Sequence, residues 1–174
     1  MTNVLADLAL ESEAATVLTM RLARAYDESD AAAQVIRRVI TPAAKFWICK
    51  RTPFLTYEAM EVLGGSGYIE ESIVPRLYRE APVNSIWEGS GNIMCLDVLR
   101  AMDKTPHALD VLRRELGDGK DVRLKAFTEQ LEKRLAGARE RIDESQARAF
   151  TRELVLALQA ALLIRHAPSA VADA

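Results

Sequence analysis

The sequence predicts an all-α protein: an antiparallel helical bundle with additional helices toward its C-terminal end. Three observations carry that expectation. Apolar residues recur at three- and four-residue steps along most of the 174 residues, and no segment alternates apolar and polar residues with a period of two. Aromatic residues are only 6% of a chain that is 49% hydrophobic, and Ala and Leu, both strong helix formers, are common. The connections between periodic stretches are short, as antiparallel helical neighbours require.

Val4 to about Tyr26 reads as the first helix, with Leu5, Leu8, Ala15, Leu18 and Leu22 on one apolar face. The stretch DESDAAA interrupts it, and Ser29 or Asp30 can N-cap the next helix. That helix continues through AAAQVIRRVITPAAKFWICKRTPFLTYEAMEVL. Pro42 and Pro53 each remove a backbone donor, so a long, bent helix is expected, terminated at Gly64-Gly65. GGSGYIEES reads as a loop, IVPRLYREA as a short helix with Pro75 in its first turn, and PVNS as extended chain. A helix follows from about Asn92 to Met102. Pro106 opens another, PHALDVLRREL, which stops at Gly117.

Two long helices fill the last third. In the first, Leu124, Phe127, Leu131, Leu135, Ala138 and Ile142 form a stripe at helical spacing. Asp143 or Ser145 then restarts the chain. The run LVLALQAALLI, Leu154 to Ile164, reads as a helix buried on most sides and is shorter than the roughly 20 residues a bilayer needs. The tail PSAVADA is expected to fray. The opening residues lie in mid-pattern without a cap, and the last apolar helix has little chain after it to cover it. The chain therefore reads as a piece of something larger, divided into a helical bundle over 1–103, incomplete at its start, and a C-terminal extension over 104–174 packing on it.

Composition narrows the functions. The net charge of -2 provides no global basic field for nucleic acid or anionic lipid. The start is amphipathic and acidic, unlike a signal peptide, and no segment reads as a membrane span. Cys49 and Cys95 have no partnered spacing, which argues against a structural zinc site and fits a reduced, cytoplasmic setting. His107 and His166 read as surface or helix-end residues, so no metal site is expected.

Chemistry concentrates in SIWEGSGNIM, Ser85 to Met94. Glu88 stands between Trp87 and a Gly-Ser-Gly turn. One reading is a carboxylate that interacts favourably with the dipole of the following helix, worth about 0.3–1 kcal/mol. In the other, Trp87 desolvates Glu88 and raises its pKa, while Gly89-Ser90-Gly91 lets a flat ligand approach the backbone. A carboxylate in such a slot suits proton abstraction beside a carbonyl. GGSGY, Gly64 to Tyr68, is either a helix C-cap with a turn or a set of backbone N–H groups open to a phosphate. It lacks the G-x-G-x-x-G spacing of a Rossmann turn.

Together these stretches, within EAMEVLGGSGYIEESIVPRLYREAPVNSIWEGSGNIMCLDVLR, resemble the C-terminal helical domain of acyl-CoA dehydrogenases. That family has a Gly-Gly-x-Gly-aromatic loop, a Pro-x-x-x-x-x-Arg helix and an aromatic-Glu-Gly-Thr/Ser turn. The wording NSIWEGSGN, the lead-in KRTPFLTYEAMEVLGG and the helices after Met102 are similar to the AidB-like branch, whose members resemble isovaleryl-CoA dehydrogenases. The resemblance covers Val4 to Met102 well and is looser beyond.

The resemblance implies roles. Glu88 matches the base that removes the α-proton of an acyl-CoA thioester while the β-hydride moves to N5 of FAD. With Gly89 it meets the substrate, its N–H helping to polarise the thioester carbonyl. Trp87 matches the aromatic beside the flavin, and Ser90 and Asn92 match positions that touch FAD. Gly64 and Gly65 match the loop that meets the adenosine diphosphate of a neighbouring subunit's FAD, and Arg79 matches an Arg that supports this loop. Glu61 departs from the family, which has Gln there against the neighbouring FAD. The isovaleryl type takes its base from a helix upstream of residue 1 here, so the base is either Glu88 or such a residue. The family's N-terminal helical and middle β-domains have no counterpart in this chain. It is therefore expected to bind FAD weakly or not at all, and to be inactive alone.

Acyl-CoA in the parent protein and a homo-oligomer are the implied partners. Two alternatives stand beside the enzyme. One is an alkylation-response flavoprotein domain that contacts DNA through the basic residues of the extension: Arg113, Arg114, Lys120, Arg123, Lys125, Lys133, Arg134, Arg139 and Arg141. Glu115, Asp118, Asp121, Glu129, Glu132 and Glu140 are interleaved with them, as on a solvated, salt-bridged helix face. The other is a purely oligomerising module.

Overall fold

The computed structural model describes residues 1–105, 107–117, 121–137 and 143–172, without the side chains of 134–137. The expectations placed on Pro106, Asp118, Lys120, Ala138, Arg139, Glu140, Arg141 and Ile142, and on the side chains of Arg134 and Leu135, lie outside the described residues.

Helix α1 spans Thr2–Asp27 and helix α2 Ala31–Leu63. Of the two proposed caps, Asp30 is the one used: its side chain accepts the Ala33 N–H at 2.8 Å. α2 stays continuous through Pro42 and Pro53 and ends where Gly64 takes φ 58°. The expected first-helix face is shared unevenly. Leu18, with Ala14 and Ala25, is buried, whereas Leu5 is exposed.

The expected loop after Gly64 contains a helical turn, α3, at Gly65–Tyr68. Gly67 permits it: a Cβ there would stand 2.4 Å from the Met60 carbonyl oxygen. Helix α4 follows at Val74–Glu80, with Pro75 in its first turn. The PVNS stretch is not extended. Ala81–Ser85 forms a 3-10 turn, closed by the Ser85 hydroxyl on the Pro82 carbonyl at 2.9 Å. Helix α5 covers Gly91–Lys104, and α6, Ala108–Leu116, stops at Gly117 with φ 84°.

Helix α7 spans Val122–Gly137, with Leu124 and Leu131 buried. A short 3-10 turn, Glu144–Gln146, starts from Asp143, whose side chain accepts the Ser145 N–H. Helix α8, Ala147–His166, follows. Part of the expected frayed tail forms a last turn, α9, at Ser169–Ala172.

The molecule is an antiparallel helical bundle. α2 runs against α1, as the pairs Arg51–Glu11 and Arg37–Ala25 show, and against α5, which it meets through Arg38–Asp97 and the Phe46–Gly91 approach. α8 is the most buried element, with Leu154, Val155, Leu158 and Leu162 essentially inaccessible. It is buried on most sides, as expected, and although little chain follows it, α1, α2, α5, α6 and α7 cover it. The lesson is physical: a helix apolar on most sides belongs in the middle, whatever its position in the chain.

Burial along α2 is lopsided. Its buried residues run from Ala33 to Phe46, and none lies beyond. Phe54, Tyr57 and Leu63 on that half are exposed, as are Tyr68, Ile69, Ile73, Leu77 and Tyr78 on the segments beside it. Among the described residues no helix is long and apolar enough to cross a membrane, and no cluster of His, Cys, Asp or Glu side chains is arranged to hold a metal ion.

Candidate functional site

Glu88 sits at the bend that joins the 3-10 turn to α5, with φ 51°. Non-glycine residues rarely occupy this left-handed region, and where they do the backbone is held by its surroundings. Here the restraint is Lys45, at mid-α2. Its ammonium donates to the Trp87 carbonyl at 2.9 Å and also to the Gly89 carbonyl, bracketing Glu88 on both sides. Gly89 takes φ 115°, and a Cβ there would meet the Met94 side chain. A Cβ at Gly91 would stand 3.3 Å from the Phe46 ring, so the glycine lets α5 seat closely against α2. The backbone N–H groups of Glu88 and Gly89 make no hydrogen bond among the described residues.

The apolar slot expected around Glu88 is not formed by this chain. Trp87 is 60% exposed, and Glu88 is exposed beside it. What adjoins Glu88 is a polar cleft of about 590 Å³ between α1, α2 and α5, also lined by Arg37, Arg38, Lys45 and Asp97. The two arginines there are engaged. Arg38 makes paired hydrogen bonds of 2.7 and 2.8 Å to Asp97, holding that carboxyl below the usual carboxylate range, and Arg37 donates to the carbonyls of Ala25 and Glu28.

Ser90 is the N-cap residue of α5 and makes no side-chain cap bond. Asn92 accepts a 2.8 Å hydrogen bond from Arg148 of α8, whose guanidinium lies over the Phe46 ring. Gly64 and Gly65 have open space where a side chain would stand. Glu61, one turn earlier, accepts the Tyr57 hydroxyl at 2.7 Å, a bond that pushes the phenol's pKa up. Arg79 forms a double hydrogen bond with Glu70 and so ties α4 to the segment that follows α3. The hydrogen bond from Arg79 lowers the Glu70 pKa.

The two stretches singled out in the sequence are not brought together. Lys45 marks the Glu88 turn and Gly64 the far end of α2, about 28 Å away at 1.5 Å per residue.

Residues 1–102 match the family model described as acyl-CoA dehydrogenase, C-terminal domain. The chain belongs to this family. Over its whole length it is 46% identical to the acyl-CoA dehydrogenase-like protein AidB of Escherichia coli (strain K12), covering 32% of that protein. It is 33% identical to acyl-CoA dehydrogenase family member 11 of Caenorhabditis elegans, over 95% of this chain and 31% of the relative. The crystal structure of Caenorhabditis elegans ACDH-11 in complex with C11-CoA superposes on 98% of the chain with a TM-score of 0.83 at 31% identity, covering 33% of that structure. The chain thus spans about a third of the length of these relatives.

As a member of the acyl-CoA dehydrogenase family, the chain contains two site features that its sequence did not announce. Lys45 lies more than 40 residues from the turn it clamps, and Arg148 lies 56 residues from Asn92. A lysine in an otherwise well-packed stretch of α2, flanked by buried Ala44 and Phe46, was the available signal for the first.

Proposed function

We propose that this chain is the C-terminal helical part of an FAD-dependent acyl-CoA dehydrogenase, in which Glu88 takes the α-proton of an acyl-CoA thioester. One observation carries the reading. The turn holds Glu88 in a left-handed conformation, its flanking carbonyls fixed by Lys45, its carboxylate exposed and its own N–H unspent. A strained, clamped, solvent-facing carboxylate is costly unless it is used.

The residues present fit FAD in part. Trp87 offers an exposed indole to a flat ring and Ser90 an exposed hydroxyl, whereas Asn92 has its carbonyl engaged by Arg148. Gly64 and Gly65 leave the backbone open to a phosphate, but the carboxylate of Glu61 opposes a diphosphate. When bound, FAD supplies the acceptor for the β-hydride at N5. Glu88 contributes the base for Cα, and the free N–H groups of Glu88 and Gly89 polarise the thioester carbonyl as charge develops on its oxygen. Among the described residues nothing walls Glu88 off from water, so on this reading dehydrogenation needs a further protein surface, and the chain alone is inactive.

The separation of Gly64 from Glu88 favours a homo-oligomer in which the glycine loop serves a neighbouring copy's cofactor. The exposed apolar side chains on the second half of α2 provide a surface for it. We assign 1–103 to the catalytic bundle and 104–174 to an extension packed on it. A DNA-contacting role for that extension has less support. Arg113 is paired with Glu132 and Asp110, and Arg123 with Asp121, which lowers what a phosphate backbone would gain there.

The test grafts this chain in place of the matching third of the Escherichia coli relative and follows flavin fluorescence and acyl-CoA-dependent flavin bleaching. FAD retention with bleaching slowed roughly 10²–10⁴-fold by Glu88→Gln is expected. Undiminished bleaching in that variant removes Glu88 as the base. Saturable FAD binding by the isolated chain would overturn the view that the site is incomplete.

A further inference from the structure

Two polar side chains are buried among the described residues, and they differ in one respect. Thr151 is satisfied: its hydroxyl donates to the Ala147 carbonyl at 2.7 Å. Gln159, two turns further along α8 and only 6% exposed, makes no side-chain hydrogen bond among the described residues. Its amide N and O are not sealed from water, so they can meet a molecule in the space they border. Gln159 lines an open cavity of about 450 Å³ between α1, α7, α8 and α9. The walls are apolar, built from residues such as Leu10, Phe127, Leu156, Ala160 and Leu163. That volume lies within the range of small-molecule sites, and one amide among aliphatic walls is the usual way such sites fix a ligand's orientation.

The mouth restricts the charge of the occupant. Glu11 accepts two hydrogen bonds from Arg51, and Asp121 is held by Arg123 and by the N–H groups of Arg123 and Leu124. These charges neutralise one another and leave no excess of either sign to attract an ion. A carboxamide both donates and accepts, so it selects a head group that does the same.

We propose that this cavity binds a neutral, straight-chain amphiphile. Its aliphatic tail lies among the side chains of α1, α7 and α8, and its single hydroxyl or primary amide head pairs with Gln159. The site is independent of Glu88. Gln159 is about 17 Å along α8 from Arg148, the residue that meets the Glu88 end of the bundle.

The experiment titrates the whole chain with 1-octanol, and separately with octanoate, while amide and methyl NMR spectra are recorded. The expected result is saturable shifts at the Gln159 side-chain amide and at the methyls of Ala160 and Leu163, with octanoate at least tenfold weaker. Gln159→Leu is expected to weaken octanol roughly threefold to tenfold, the range of one hydrogen bond. Leu156→Trp, at a position already 38% exposed and so tolerant of bulk, fills the space and removes the shifts. Ile164→Trp does the same from the other side and stands in if the first variant misfolds. No saturable shift with octanol, equal affinity in Gln159→Leu, or undiminished binding in a folded tryptophan variant would each overturn the assignment.

Discussion

Replacing Glu115 with Gln tests how α6 is fastened to α1. Glu115, at the end of α6, receives Arg21 from α1 through two hydrogen bonds of 2.7 and 2.9 Å, and its side chain is 12% exposed against 18% for Arg21. Arg165 of α8 approaches from the other side, donating to the Glu115 carbonyl at 2.7 Å. Exposed ion pairs contribute about 0.2–1 kcal/mol, and breaking a fully buried one costs about 3–5 kcal/mol. This pair lies nearer the second case, so a loss of about 2–3 kcal/mol is expected, or a fall of roughly 4–12 °C in melting temperature for a chain of this size. Urea denaturation at pH 7 measures it, with Glu80→Gln as a control, since the Arg76–Glu80 pair is largely exposed. The pH dependence supplies a second check. Burial pushes the Glu115 pKa up, but the hydrogen bond from Arg21 and the charges of Arg21 and Arg165 outweigh it, so the pKa is lowered. A lowered folded-state pKa means the stabilisation is present above the unfolded value, near 4.5, and is lost as pH falls below it. The difference between the wild type and Glu115→Gln should therefore shrink as the solution is acidified from pH 5 toward 3. A loss below about 0.5 kcal/mol, or a difference independent of pH, would refute the reasoning.

Lys45→Met should leave the core intact but raise amide exchange over residues 86–91 by roughly tenfold or more, with Lys45→Arg partly restoring protection; hydrogen-exchange mass spectrometry reads both. Gly67→Ala places a methyl against the Met60 carbonyl and should cost about 1–3 kcal/mol by chemical denaturation. Leu158→Ala, at a fully buried position of α8, should cost about 2–5 kcal/mol in the same assay. Phe54→Ser together with Tyr68→Ser should shift sedimentation toward a smaller species, since both side chains lie on the exposed apolar surface.

Features written in local chemistry were legible in the sequence. The Asp30 cap, the stops at Gly64 and Gly117 and the first-turn Pro75 each follow from what one residue does to its own backbone. α8 was legible as a buried helix because an almost unbroken apolar run is a property of a single segment. Where the reading missed, packing that no single residue's pattern reveals decided. The glycine loop folds into a turn because Gly67 fits against Met60, and Leu5 is exposed because periodicity marks an apolar face without saying what meets it. At the site, Glu88 and Trp87 could be named in advance, but the polarity of their surroundings could not. Arg38, Asp97 and Lys45 come to that cleft from helices whose register only the packed bundle defines.

That packing also separates the two stretches to which the proposed function gives a part in cofactor binding. α2 is one continuous helix whose first half is buried and whose second half lies open. The buried half fixes Lys45, and through it the Glu88 turn. The open half carries the glycine loop about 28 Å away, beyond the reach of any side chain at the turn. Two sites so far apart on one helix can serve the same kind of cofactor only if each meets a different molecule of it. In the proposed homo-oligomer a neighbouring copy would satisfy that condition and would cover the exposed apolar half of α2 at the same time. The incomplete burial of the helix and the distance between its two stretches are then consequences of a single arrangement.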